Sequence, residues 1–354
     1  MITTLFTPPT GRLTQLAAAG NTATPLADGV DWLLEAVYGA LLTAMSELTG
    51  IDMLGYAYMQ RAYLAAICIA IIGPVVGTFL VHRELSMLSD TLAHTAFAGV
   101  ALGLFLNSVL SLSVSPIITA FVVAIVTALL VELLIDHANT YGDTSLAMVL
   151  TGGFAVGSIL ITATGGGIAV GINAYLFGSL ATVSKTDIGL LILMSLIVGA
   201  VVTLAYRPLV YVTFDAPAAR AARFNVRHYK RLLVVLTAGV VVSAMQIMGV
   251  ILVAAMLVIP VAAAAPVARS FKQSIWLAIS AGQLATVIGV TVAYQFGIAA
   301  GGSIVVTALL VYLGVVAGKR VRREVPLLLS AMLYRYRRRR SPKQLSADGG
   351  DERK

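Results

Sequence analysis

What most restricts this chain is a succession of apolar runs. Each is close to the roughly 20 residues that carry a helix across a bilayer, and tight links separate them. They fall near 60–81, 84–106, 112–135, 145–163, 185–206, 232–248, 250–268, 274–296 and 302–318, the pair meeting at Gly249 being short. The expected fold is all-α: a polytopic helical membrane protein of about nine transmembrane helices, with eight to ten compatible with the pattern. Charge agrees, since 11% of residues are charged and 59% hydrophobic, where soluble domains hold about 25% charged residues.

The positive charge has a direction. Alternating the nine spans puts Arg83, the 207–231 loop, Arg269, Lys272 and everything after Lys319 on one side. The other side keeps Arg12, Arg61 and Lys185. Basic loops mark the cytoplasmic side, so the C-terminus is expected in the cytoplasm of a multi-pass protein of the plasma membrane. The net charge of +8 does not argue for nucleic acid, because it lies in short loops and in a tail from Lys319 that contains Arg335, Arg337, Arg338, Arg339 and Arg340. That tail reads as an orientation signal with affinity for anionic headgroups.

Three regions follow. Residues 1–50 form an extension, polar and rich in Pro to about residue 30, then an amphipathic stretch at 31–48 expected to lie at the interface. Residues 51–320 hold the membrane domain, and 321–354 the basic cytoplasmic tail, expected to be disordered from 341. The sole cysteine, Cys68, excludes an internal disulfide and a thiolate metal cluster.

Within 82–103, HRELSMLSDTLAHTAFAGVALG, an aspartate and a histidine stand four residues apart. On a helix Asp90 and His94 are turned by about 40° and lean over one face. Ala98 and Ala101 continue that face, while Ala96, Gly99 and Gly103 present a G-x-x-x-G surface for close helix packing on the other. An ionisable pair in an apolar span is costly unless it meets water, a partner or a cation. A carboxylate oxygen and an imidazole nitrogen suit zinc, manganese or ferrous iron and give copper(I) no soft ligand. On spacing alone two readings stand: a metal-transport site, shared across a twofold or within one chain, or a helix-start aspartate beside a histidine bonded to a backbone carbonyl.

Other chemistry is missing from the sequence. There is no G-x-x-x-x-G-K-[ST], and Gly165 to Gly167 and Gly171, in an expected external loop, have no following lysine. His82-Arg83-Glu84 lacks the H-E-x-x-H of a zinc protease. The chain is therefore not expected to be an enzyme, nor to hold a resident cofactor. The loop Phe214-Asp215-Ala216-Pro217-Ala218-Ala219-Arg220-Ala221-Ala222-Arg223-Phe224-Asn225-Val226 reads as a short helix begun by Asp215 and Pro217. Asn225 is expected to close it in left-handed geometry. Such a surface helix is either a handle for a soluble motor or a solvated loop.

RELSMLSDTLAHTAFAGVALG at 83–103 resembles the signature of the ABC-3 family of metal-ion permeases, the membrane subunits of zinc, manganese and iron importers. Three further blocks resemble the family in the same order: Tyr175-Leu176-Phe177-Gly178-Ser179-Leu180, FDAPAARAARFNVR, and GVILVAAMLVIPVAAAAPVAR at 249–269. The resemblance covers about 55–318. It implies a homodimer, two cytoplasmic ATPase subunits that hydrolyse ATP, an extracytoplasmic metal-binding protein, and a transported divalent metal ion, with zinc placed first. It also implies that Asp90 and His94 meet the metal and that Phe214, Asp215, Ala219, Arg220 and Asn225 belong to the ATPase-docking loop. This chain has Phe224-Asn225 where the family commonly has glycine. The rival from another class is a proton-coupled secondary metal transporter using Asp90 and His94 as a relay. Within the ABC class, the rival is a permease for a siderophore or cobalamin.

Overall fold

The computed structural model describes residues 38, 39, 43, 46, 52–110, 113–137, 142–163, 175–178 and 183–340; beyond Val321 only the backbone is described. The expected interfacial helix at 31–48, the glycines at 165–167 and 171, and the tail from 341 lie essentially outside these residues.

Among the described residues, a 3-10 turn at Asp52–Gly55 leads into ten helices whose bounds are defined. They are α1 (Ala57–His82), α2 (Met87–Leu110), α3 (Pro116–His137), α4 (Gly142–Ala163), α5 (Lys185–Leu204), α6 (Tyr206–Phe214), α7 (Ala216–Ala221), α8 (Val226–Ala264), α9 (Phe271–Phe296) and α10 (Ala300–Arg340). Eight are long and apolar enough to cross a membrane: all but α6 and α7. The protein is a polytopic all-α membrane protein.

The difference between eight helices and nine expected runs lies in α8. Its 39 residues are interrupted at Gly249, whose φ of 80° and ψ of 161° are not helical. The two arms point to opposite faces. Arg231, near the start of the first arm, reaches Glu132 close to the end of α3. The turn at Gly249 meets Leu176, Phe177 and Gly178 on the opposite face, and Gly301 at the start of α10 approaches the Met248 carbonyl to within 3.3 Å of an added Cβ. The second arm then returns, with Leu257 backing onto Gly77 and the Pro266 carbonyl accepting from Lys319 Nζ. It spans 15 residues, about 22 Å, too short for lipid exposure over a core of roughly 30 Å. Burial resolves the mismatch: Val250, Leu252, Val253, Met256, Leu257 and Val261 are enclosed by other helices rather than by lipid.

The doubled α8 is the hub, touching α1, α2, α3, α5, α9 and α10. Small residues let neighbouring helices approach closely. A Cβ on Gly99 would come within 2.7 Å of Ala120 Cα on α3, and one on Gly103 within 2.9 Å of Pro116 Cα, so the G-x-x-x-G surface of α2 is filled by α3. The basic segments converge at one end. His82 at the end of α1 lies edge-on to Phe214 and Phe271, which places the 83–86 link, the 205–225 segment and the start of α9 together.

Candidate metal site and docking loop

The first part of α2 is buried nearly all round: Leu88, Ser89, Thr91, Leu92, Ala93, Thr95 and Ala96 are each 3% exposed or less. Asp90 and His94 are the two interruptions, with side chains 43% and 25% exposed. They mark an open strip on an otherwise packed helix. The hydroxyls of the Ser and Thr neighbours are satisfied by backbone carbonyls and do not compete for the pair. Thr91 Oγ1 donates to the Met87 and Leu146 carbonyls, and Thr95 Oγ1 donates to that of Thr91. Ala98 and Ala101, expected to extend the strip, are instead buried, Ala98 against Gly157 of α4. That correction shortens the polar strip to little more than one turn.

His94 Nδ1 lies 3.0 Å from the Asp90 carbonyl oxygen and 3.2 Å from Asp90 Oδ1. The backbone contact foreseen as the alternative to a metal role is therefore present, and so is the side-chain pair. The two coexist because both use the same ring nitrogen. With Nδ1 carrying the proton donated to Asp90, the Nε2 lone pair is the one left for a ligand, a common arrangement for metal-binding histidines. Phe154 of α4 stands edge-on to the His94 ring at 5.8 Å and stacks near Phe97 at 6.3 Å, which walls one side of the strip. Among the described residues no group of three or more His, Cys, Asp or Glu side chains converges, so the described part of one chain offers this pair and no larger cluster.

On the basic face, Asp215 starts α7 by accepting from the Ala218 backbone N–H at 2.9 Å. The expected closure at Asn225 is corrected. Arg223 is the left-handed residue, with φ of 63°. Its N–H donates to the Arg220 carbonyl and that of Phe224 to the Ala219 carbonyl, a Schellman closure. Asn225 begins the next helix instead, its Oδ1 accepting from the His228 N–H at 3.2 Å. Ala219 is fully buried with Val212 and Val226 and holds the loop to the body. Phe214, Asp215, Arg220 and Asn225 are exposed. Phe214 also reaches inward, 5.7 Å from the His82 ring and 5.6 Å from Phe271.

One charged contact escaped the sequence reading. Glu132, 8% exposed on α3, accepts from Arg231 Nε at 3.2 Å across 99 residues of sequence. Its signal was available: a carboxylate within the apolar run 112–135 is costly without a partner.

Residues 55–319 match the ABC 3 transport family. The chain belongs to that family. It is 30% identical over 272 residues to the manganese transport system membrane protein MntC of Halalkalibacterium halodurans, covering 75% of this chain and 89% of that relative. It is 32% identical over 258 residues to the manganese import system permease protein ScaB of Streptococcus gordonii, covering 73% and 90%. Among solved structures it is similar to PsaBC from Streptococcus pneumoniae in complex with Fab, with a TM-score of 0.67, 30% identity and coverage of 77% and 95%. An inward-facing putative metal-chelate type ABC transporter, 16% identical with a TM-score of 0.57, shares the fold. This family member is thus a multi-pass protein of the cell membrane and a transport permease.

Proposed function

We propose that this chain is the membrane permease of an ATP-driven importer of a divalent transition metal, with manganese ahead of zinc. The observation that carries the reading is the Asp90–His94 pair, set on the open strip of α2 in a chain whose relatives are manganese permeases. This ordering departs from the zinc-first expectation. The side chains alone do not rank the two metals, since carboxylate and imidazole serve both, and the relatives' names supply the preference.

In this reading the pair replaces part of the ion's hydration shell without enclosing it. His94 Nε2 and an Asp90 oxygen contact the ion, and water or the same pair from a second copy of the chain completes its shell. Two ligands per chain suit a cargo that must leave. ATP is hydrolysed on separate cytoplasmic subunits that seat on the exposed side of α7, and an extracytoplasmic binding protein delivers the metal. Motion of the seated loop reaches the body through Phe214, whose ring meets His82 of α1 and Phe271 of α9.

The test is metal-dependent growth and radioactive manganese uptake in a deletion strain expressing wild type, Asp90→Asn or His94→Ala. Both variants are expected to abolish uptake while reaching the membrane in normal amounts. Zinc competing better than manganese would reverse the metal order. Uptake by purified permease driven by a pH gradient, without an ATPase, would favour a secondary transporter.

A further inference from the structure

The helices that frame the polar strip, α2 and α4, meet through small residues. A Cβ on Gly153 of α4 would fall 3.3 Å from Thr95 Cα, and one on Gly157, a turn later, 3.2 Å from Ala98 Cα. The Thr91 hydroxyl, 3.3 Å from the Leu146 carbonyl oxygen, ties the same two helices nearer their starts. The two helices therefore run side by side in one direction, with residues 91, 95 and 98 against 146, 153 and 157. Phe154 follows the first of these glycines and precedes the second, so close backbone contacts fix its position along α2. Its ring meets two others. The centroid lies 5.8 Å from that of His94, with 65° between the planes, and 6.3 Å from that of Phe97, with 20°. Phe97 is 2% exposed and packs against Gly157, which makes it a fixed backing for the Phe154 ring.

We infer that Phe154 is a positioning residue for the transported ion: it holds the plane of the His94 ring, so that Nε2 keeps one direction while Nδ1 stays on Asp90. Both polar restraints on the ring, the Asp90 carbonyl oxygen and Oδ1, act on the same atom, Nδ1. They fix that atom and leave the ring plane free to swing about it, since the last torsion of a histidine is broad. An edge-to-face aromatic contact is directional and removes that freedom. Core packing is not what Phe154 supplies, because its side chain is in a residue 47% exposed on a helix with few buried positions. Metal-binding histidines depend on neighbours of this kind to set their orientation. The inference rests on the reading that His94 meets the ion, and it adds a residue that itself contacts no metal.

The full-length chain, purified in detergent and loaded with manganese alone, is compared as wild type, Phe154→Leu and Phe154→Tyr. Leucine keeps apolar bulk without a flat ring, and tyrosine keeps the ring. Phe154→Leu is expected to bind manganese on the order of 10-fold more weakly. At saturating manganese its pulsed electron paramagnetic resonance should show a nitrogen coupling smeared over many values, where wild type and Phe154→Tyr give one. A residue that merely filled space would leave that coupling sharp. Val156→Ala, exposed and turned by about 200° from Phe154 around α4, is expected to match wild type in both readouts. Thermal melting of each variant separates lost orientation from lost folding, and Phe154→Tyr carries the comparison if Phe154→Leu unfolds. Wild-type affinity with a sharp coupling in folded Phe154→Leu, or a folded Phe154→Tyr that binds ten-fold more weakly than wild type, would overturn the inference and leave the metal site standing. Absence of any nitrogen coupling in manganese-loaded wild type would remove the metal site, and this inference with it.

Discussion

Replacing Gly249 by alanine tests the reversal on which the helix arrangement depends. At φ of 80° and ψ of 161° the position lies in a region that residues with a Cβ rarely enter, at a cost of about 1–3 kcal/mol. Space adds a second penalty. The new Cβ would fall 2.5 Å from Gly178 N, 2.5 Å from the Leu176 oxygen and 2.6 Å from Phe177 C. These are backbone atoms and cannot swing aside like a side-chain tip. Forcing a methyl into such contact costs about 1–3 kcal/mol more. Gly178, itself at φ of 72°, would have to move with it. Gly152→Ala is the matched control, because that glycine is helical and has nothing within 4 Å of an added Cβ, so alanine there is neutral or gains up to about 1 kcal/mol. Fluorescence-detected size-exclusion melting in detergent should show Gly249→Ala losing roughly 5–15 °C, with Gly152→Ala unchanged or higher. Melting of Gly249→Ala within a degree or so of wild type would refute the tight turn and, with it, the antiparallel placement of the two arms of α8.

Arg231→Ala leaves Glu132 buried without its cation, and is expected to lower stability by about 1–3 kcal/mol. Adding Glu132→Gln should return part of the loss, measured as a double-mutant cycle of melting temperatures. Charge reversal at Asp215 or Arg220 should reduce co-purification of the ATPase subunit. Melting of the permease should stay nearly unchanged for Arg220, whose side chain is exposed, and stability should fall by about 1 kcal/mol for Asp215, which loses its cap on the Ala218 N–H. Normal stoichiometry in both variants would remove α7 from the proposed docking surface.

The spans were legible because a bilayer demands long apolar runs, and no soluble fold tolerates so many. Even the short pair meeting at Gly249 was visible as two pieces. What sequence could not show is that the second arm is short because protein, not lipid, surrounds it. Asp90 and His94 stood out through the cost of charge in an apolar segment, yet their sharing of one ring nitrogen depends on rotamers. Loop chemistry was legible at Asp215, where an aspartate before proline is a strong helix start. It misled at Asn225: asparagine tolerates left-handed backbone and also caps helices, and here the second role won while Arg223 took the strained position. The Glu132–Arg231 contact joins helices far apart in sequence, so each partner could be suspected but not matched. The order of metals lies outside what ligand type encodes, because a carboxylate and an imidazole accept several divalent ions.

The central claim is that His94 meets the ion directly, and pulsed electron paramagnetic resonance on the manganese-loaded, purified transporter addresses it without relying on turnover. Wild type is expected to show modulation from a directly coordinated imidazole nitrogen, and His94→Ala, still folded and assembled, is expected to lose it. A nitrogen signal that persists in His94→Ala, or that is absent from manganese-loaded wild type, would contradict the account.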